Sequence, residues 1–273
     1  MTVFAAVQMT SGPEVADNLA VAGRLIDEAA AAGARLVLLP ENFNFMGRRD
    51  GDKRAIAEPY GSGPTQDFLA GAAQRHGLWL IGGTQPLQST VAGGKVTNTC
   101  VVYDPAGTAV ARYDKIHLFD VDVPGKPDET YRESTHVAPG GDVVCVDTPA
   151  GRVGLSVCYD MRFPELYRRL SAAGAEILVM PAAFTVPTGR AHWETLLRAR
   201  AIENLCYVVA AAQSGTHPSG RETYGDSLIV DFWGRVVTRR ATGSGIISAP
   251  IDRDALARTR ADFPALQNRV LTS

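Results

Sequence analysis

Only four cysteines occur in the 273 residues, none of them in a Cys-x-x-Cys pair, and no histidine spacing of the metal-site kind accompanies them. A disulfide framework and a structural zinc site are therefore excluded as the basis of the fold. There is no excess of basic charge either: 27 Lys and Arg stand against 29 Asp and Glu, a formal net charge of -2. Phosphate backbones and anionic lipid surfaces gain no long-range attraction from such a chain, which argues against nucleic acid and membrane as partners. Long apolar runs are missing as well. The stretch from Ala175 to Phe184 is too short to cross a bilayer, and the opening MTVFAAVQM lacks the basic region of a secretory signal, so the cytoplasm is the expected compartment. No linker interrupts the chain, and one domain over 1–273 is expected. The pairs Gly82-Gly83 and Gly93-Gly94 fit neither a dinucleotide fingerprint nor a P-loop and read as turn residues.

What is present is an alternation. Short apolar, β-branched runs (VFAAVQM, RLVLLP, LWLIGG) alternate with alanine-rich helical patterns over 15–32 and 65–76. Two strand-like runs then meet at Asp104-Pro-Ala-Gly107, a hairpin signal that predicts a mixed sheet. The alternation resumes with RVGLSVC, a helix opening at Pro164, the strand EILVMP, a helix from about Arg190 to Asn204 and the strand CYVVAAA; a second hairpin is expected at Asp231-Phe-Trp-Gly234. RLVLLPEN, EILVMPAA and YVVAAAQS are continuous apolar runs that end abruptly in small or polar residues, as strands covered on both faces do. Ligands of α/β sheets gather at the carboxyl ends of strands, and both Glu41 and Cys158 follow such ends.

Cys158 stands between an apolar run and a helix start, where a helix N-terminus or a cation raises the thiolate fraction; the other three cysteines lie inside apolar runs. Glu41, directly after LVLLP, needs a partner if buried: a salt bridge or cap is the plain reading, and a general base for the thiol the functional one. Lys115, flanked by Ile116, Leu118 and Phe119, is either a surface charge or an ammonium beside a developing oxyanion. His117 and His192 leave a Cys-His pair open, although no papain-type signature surrounds the cysteine. Arg162 is either a partner of Asp160 or Glu165, or a bidentate clamp for a substrate carboxylate.

Taken together, LVLLPEN around Glu41, YDKIHLFDVDVPGK around Lys115 and GLSVCYDMRFPEL around Cys158 resemble the Glu-Lys-Cys triad motifs of the nitrilase, or carbon-nitrogen hydrolase, superfamily. The resemblance runs from VFAAVQM to FPALQNR and includes AHWETLLRARAIEN and CYVVAAAQSG. It implies an α/β four-layer α-β-β-α sandwich with mixed sheets, a homo-oligomer (dimer or higher), no metal or organic cofactor, and a small-molecule amide substrate. It also implies that Glu133, in YRES, helps to place the lysine, and that Cys158-Tyr-Asp, where true nitrilases carry Cys-Trp-Glu, favours an amide over a nitrile. Similarity is greatest to the Nit-branch amidases. The implied activity is hydrolysis of the carboxamide of a small carboxylate-bearing compound to acid and ammonia through a thioester, with deaminated glutathione the preferred substrate. The Tyr159 N-H would join Lys115 at the oxyanion, and Arg162, Phe184 and Thr188 would contact substrate. An ω-amidase for α-ketoglutaramate-like compounds, an N-carbamoyl amino acid hydrolase and a catalytically silent binding module of the same fold are the alternatives.

Overall fold

The structure is a computed structural model and describes residues 1–90, 93–123 and 130–271. The end of the lysine motif, Pro124-Gly125-Lys126, falls outside them.

Strand Thr2–Gln8 shows how the layers arise. Its alternate side chains Phe4 and Ala6 belong to one buried cluster, and Ala5 and Val7 to another; Leu36 and Leu38 divide in the same way from Val37. A strand buried on both faces needs a covering layer on each, and the chain supplies different ones. On one side, helices Val15–Ala31 and Pro64–His76 press Leu25, Ile26, Leu69 and Ala72 onto the sheet. On the other lies a second sheet, whose Val153, Ile177, Val209 and Ile229 share the cluster of Phe4 and Leu36. Helices Pro164–Ala172 and Val186–Asn204 are the outer layer of that second sheet, with Leu166, Leu170, Trp193 and Leu197 in the same cluster. The result is a four-layer α-β-β-α sandwich.

The first sheet runs Gly245–Ile251, Thr2–Gln8, Leu36–Leu38, Trp79–Ile81, Val96–Tyr103, Gln85–Gln88, with Ala109–Asp114 also paired to Val96–Tyr103. The second runs Val236–Arg240, Ser227–Val230, Tyr207–Ala212, Ile177–Ala182, Gly151–Leu155, Cys145–Thr148. Each has a parallel centre and antiparallel flanks, the mixed character expected from the two hairpins. Two boundaries differ from the sequence reading. The helix expected from about Arg190 begins at Val186, because Pro187 suits a first helical turn that has no use for its N-H. The run YGDSLIVD is broken at Asp226, whose φ of +63° ends the short strand Glu222–Tyr224 before Ser227–Val230 begins.

Candidate active site

The three motif residues arrive from three strand ends. Glu41 follows Leu36–Leu38, and its loop lies so close to the next crossover that a Cβ on Gly83 would come within 2.1 Å of the Pro40 carbonyl oxygen. Gly83 also has φ +55°, so only glycine suits the position. Lys115 follows Ala109–Asp114. The pairing of Thr99 with Asp114 continues as an N-H bond from Lys115 to the Asn98 carbonyl at 2.9 Å, which sets Lys115 beside Asn98.

These neighbours form one hydrogen-bonded charge cluster. Lys115 Nζ donates to Glu41 Oε1 at 3.1 Å and to Glu133 Oε2 at 2.9 Å, and is only 2% exposed. Asn98 Nδ2 ties the two acids together, donating to Glu41 Oε1 at 2.9 Å and Glu133 Oε1 at 3.1 Å. Glu133 Oε2 also accepts the Phe119 N-H at 2.7 Å. Every buried charge here is paired and hydrogen-bonded, which buried ions require.

Cys158 opens a helical turn, Cys158–Arg162, and has φ +50°, a left-handed conformation that a side-chain-bearing residue holds only under constraint. The constraint is Asp160, fully buried and two residues on. Its Oδ2 accepts the Val157 N-H at 2.8 Å and the Tyr113 hydroxyl at 2.6 Å; its Oδ1 accepts the His117 N-H at 3.0 Å and pairs with His117 Nδ1 at 2.7 Å. The thiol so presented shares the cavity lining with Glu41, Lys115 and Ala183, whose charges and N-H act on it.

Protonation follows from burial and charge. Burial pushes the Cys158 thiol well above its ordinary value and the Glu41 carboxylate adds to this, while the Lys115 charge and the Ala183 N-H oppose it. At rest the sulfur is a thiol. Burial alone would lower Lys115, but Glu133, Glu41 and Cys158 hold the ammonium well above its ordinary value. Burial would likewise raise Glu133, yet the Lys115 and Lys53 charges, with the bonds from Lys115 and the Phe119 N-H, bring it down to about 2. The cluster therefore holds an ammonium between two carboxylates, next to a neutral thiol. A carboxylate beside a thiol can take its proton as the sulfur attacks, and the ammonium can follow the charge to the new oxyanion.

A cavity opens over this cluster. Glu41, Lys115, Glu133, Cys158, Tyr159, Phe184 and Thr188 all line it. Arg162 lies outside the lining: its Nη1 meets His192 Nδ1 at 3.1 Å, and its guanidinium lies over the Phe184 and Tyr159 rings. His117 is also outside, stacked on Phe163 at 3.7 Å with Nδ1 turned to Asp160, so it makes no pair with the cysteine. Sequence reasoning missed Asn98, His136 and Lys53, while the loop Thr216-His-Pro-Ser-Gly-Arg221, which it reads as shaping the pocket, brings Arg221 to the lining. Asn98 had a signal, a polar residue inside the apolar run VTNTCVVY; the others reach the cavity from loops and short helical turns with no local pattern. No group of three or more His, Cys, Asp or Glu residues able to hold a metal occurs among the described residues.

A four-layer sandwich that sets a thiol, an ammonium and two carboxylates around one cavity has the make-up of a thiol-dependent, amide-cleaving hydrolase. The carbon-nitrogen hydrolase family matches residues 4–261, and the chain belongs to that family. It is 45% identical over 268 residues to a deaminated glutathione amidase of Synechocystis sp. (strain PCC 6803 / GT-S), covering 97% of each chain. It is 40% identical to the omega-amidase NIT2-B of Xenopus laevis, covering 96% of this chain and 93% of the other. Among solved structures, the NitFhit protein of C. elegans superposes with a TM-score of 0.89 at 38% identity; the match covers 98% of this chain but 65% of NitFhit, so this chain spans just under two thirds of that protein. The protein is an amidase, a hydrolase of carbon-nitrogen bonds other than peptide bonds. No described helix is long and apolar enough to cross a membrane.

Proposed function

We propose that this amidase uses Cys158 as nucleophile, Glu41 as general base and Lys115 as oxyanion partner, and that its substrate is deaminated glutathione. The observation that carries the catalytic assignment is the 3.1 Å bond of Lys115 Nζ to Glu41 in a cavity whose lining brings both together with the Cys158 thiol. Because the thiol is protonated at rest, attack and proton transfer occur together: Glu41 takes the proton as sulfur bonds to the amide carbon. The carbonyl electrons move to oxygen, where the Lys115 ammonium and the Tyr159 N-H meet them; as the second residue of a helical turn, Tyr159 has no intrahelical partner for that N-H. Glu41 returns the proton to the departing nitrogen and the amine leaves. It then deprotonates a water that cleaves the thioester, freeing acid and thiol. Glu133 and Asn98 keep Lys115 and Glu41 in register throughout.

A primary carboxamide releases ammonia by this route. Deaminated glutathione joins a five-carbon keto acid to cysteinylglycine through its amide, so the departing amine is that dipeptide. The name of the Synechocystis relative supports this substrate. The Xenopus relative supports a second reading, an ω-amidase for the shorter 2-oxoglutaramate. Four free cysteines suit a cytoplasmic enzyme, and assembly as a homo-oligomer belongs to the same reading. The test is turnover of deaminated glutathione, 2-oxoglutaramate, a nitrile and an N-carbamoyl amino acid. The highest kcat/KM is expected for the first, with 2-oxoglutarate and cysteinylglycine formed in equal amounts. Faster turnover of 2-oxoglutaramate would transfer the assignment to the ω-amidase, and no turnover at all would favour a silent binding module.

A further inference from the structure

One wall of the cavity carries cations that form no ion pair with the catalytic cluster among the described residues. Lys53 and Arg221 both line it, and neither has a carboxylate within ion-pair distance among the described residues. Arg221 is fixed: its Nη2 donates to the Ala183 carbonyl at 3.0 Å, its Nη1 approaches Met46 Sδ at 4.0 Å, its guanidinium lies 5.0 Å over the Tyr131 ring, and its Nε is buried with no partner among the described residues. A guanidinium has five N-H donors in a rigid fork, and among the described residues only one of these meets a protein oxygen. His136, on the same lining, also has a buried ring nitrogen, Nδ1, without a partner. Beyond this wall a second cavity adjoins the first and shares Asp50, Lys53, Tyr131 and Arg221 with it. Its charged lining is Arg48, Arg49, Lys53 and Arg221 against the single acid Asp50.

Buried donors without acceptors, in a region of surplus positive charge next to a reactive thiol, call for an anionic ligand group. We propose that Arg221 and Lys53 form a subsite for a second substrate carboxylate, remote from the amide that is cleaved, with His136 as a further polar contact. The inference rests on reading the cavity as the site of an amidase. It names the substrate class as elongated amides with an anionic far end, and it gives the selectivity for such compounds to residues separate from the Glu-Lys-Cys cluster. Arg221 has the geometry for a bidentate bond, and Lys53 supplies a point charge.

Binding can be measured without turnover in the Cys158→Ala protein. Calorimetric titration would compare deaminated glutathione with its analogue ending in a methylamide in place of glycine, which lacks only the far carboxylate. The expected result is Kd lower for the acid by roughly tenfold or more, as a charge-assisted bond provides. That ratio should fall toward one when Arg221→Gln or Lys53→Met is added, should be partly kept by Arg221→Lys, and should shrink as salt is raised. Equal affinities for the two compounds, or a ratio that persists in both neutral variants, would overturn the subsite. Release of 2-oxoglutarate by the wild-type enzyme tests the underlying reading separately: failure to cleave either compound would remove the substrate assignment, while the Kd ratios would still decide the subsite.

Discussion

Replacing Glu133 by glutamine keeps the shape of the side chain and its acceptor for the Phe119 N-H while removing one of the two charges that hold Lys115. The size of the effect follows from protonation linkage. Glu133 is held at about 2 against an ordinary 4.5, a difference that corresponds to about 3 kcal/mol of folding stability near neutral pH. Because the folded-state value is depressed, this contribution is fully present above pH 4.5 and is lost as pH falls from there through about 2. Glutamine mimics the protonated acid, so the Glu133→Gln protein should be less stable than wild type by about 3 kcal/mol at pH 7, with roughly 1 kcal/mol of the gap closed by pH 3.5. Urea unfolding of both proteins at pH 7, 5 and 3.5 measures it. Lys115, with its second anchor gone, should also drift toward Glu41 and away from the oxyanion position, lowering kcat by about 10²- to 10³-fold. A stability gap independent of pH would remove the carboxylate charge as its source. Turnover within threefold of wild type would show that Glu133 does not position the lysine.

Three further outcomes follow from the geometry. Cys158→Ala should abolish turnover at near-wild-type stability, and Lys115→Ala should abolish it while costing roughly 3–5 kcal/mol in stability, because two buried carboxylates lose their cation, whereas His117→Ala, which removes one Asp160 contact and the Phe163 stack, should cost about 1–3 kcal/mol in stability and less than tenfold in kcat/KM; loss of all activity in His117→Ala would revive a cysteine-histidine mechanism. Gly83→Ala would set a Cβ against the Pro40 carbonyl at positive φ and should destabilise by more than about 3 kcal/mol in chemical denaturation, a prediction that near-wild-type stability would refute. Alkylation of Cys158 by iodoacetamide should climb with pH beyond 9 without the plateau of an ordinary thiol, while kcat/KM stays level across pH 7–9; a low-pH plateau in alkylation would mean a resting thiolate.

The sandwich was readable because its strands are buried on both faces, so RLVLLP, EILVMP and YVVAAA stand out as unbroken apolar runs with helical patterns between them. The motifs gave Glu41, Lys115 and Cys158 for a related reason: each follows one of the strand-like runs, the part of an α/β chain that sequence periodicity marks best. Lys53 and His136 had no such marker, and Arg221 had only its place in a loop read as shaping the pocket. They reach the cavity from short helical turns and the hairpin after Ser214–Thr216, whose positions depend on contacts made across the whole chain, such as the bond from His217 Nδ1 to the Ser11 carbonyl at 2.8 Å. Arg162 illustrates the converse. Four residues after the cysteine it looked well placed for a substrate, but the strained turn at Cys158 sends its guanidinium to His192 and to the outer side of the Phe184 and Tyr159 rings.

The charge arrangement explains why a dry site can use a protonated thiol. Before attack the cluster holds two carboxylates, one ammonium and a neutral thiol, for a net charge of -1. In the mechanism proposed above, when Glu41 takes the thiol proton and the amide oxygen becomes anionic, one negative charge moves from Glu41 to the adduct, and the total remains -1. Making a free thiolate first would instead separate charge between sulfur and a proton released from the site, against the burial that already disfavours it. Lys115 touches the charge's starting point and stands in the cavity where it arrives, so the same ammonium stabilises both ends of the transfer without entering or leaving water. Glu133 has its own bond to that ammonium, which fits an anchor whose charge stays constant while that of Glu41 changes in the proposed transfer.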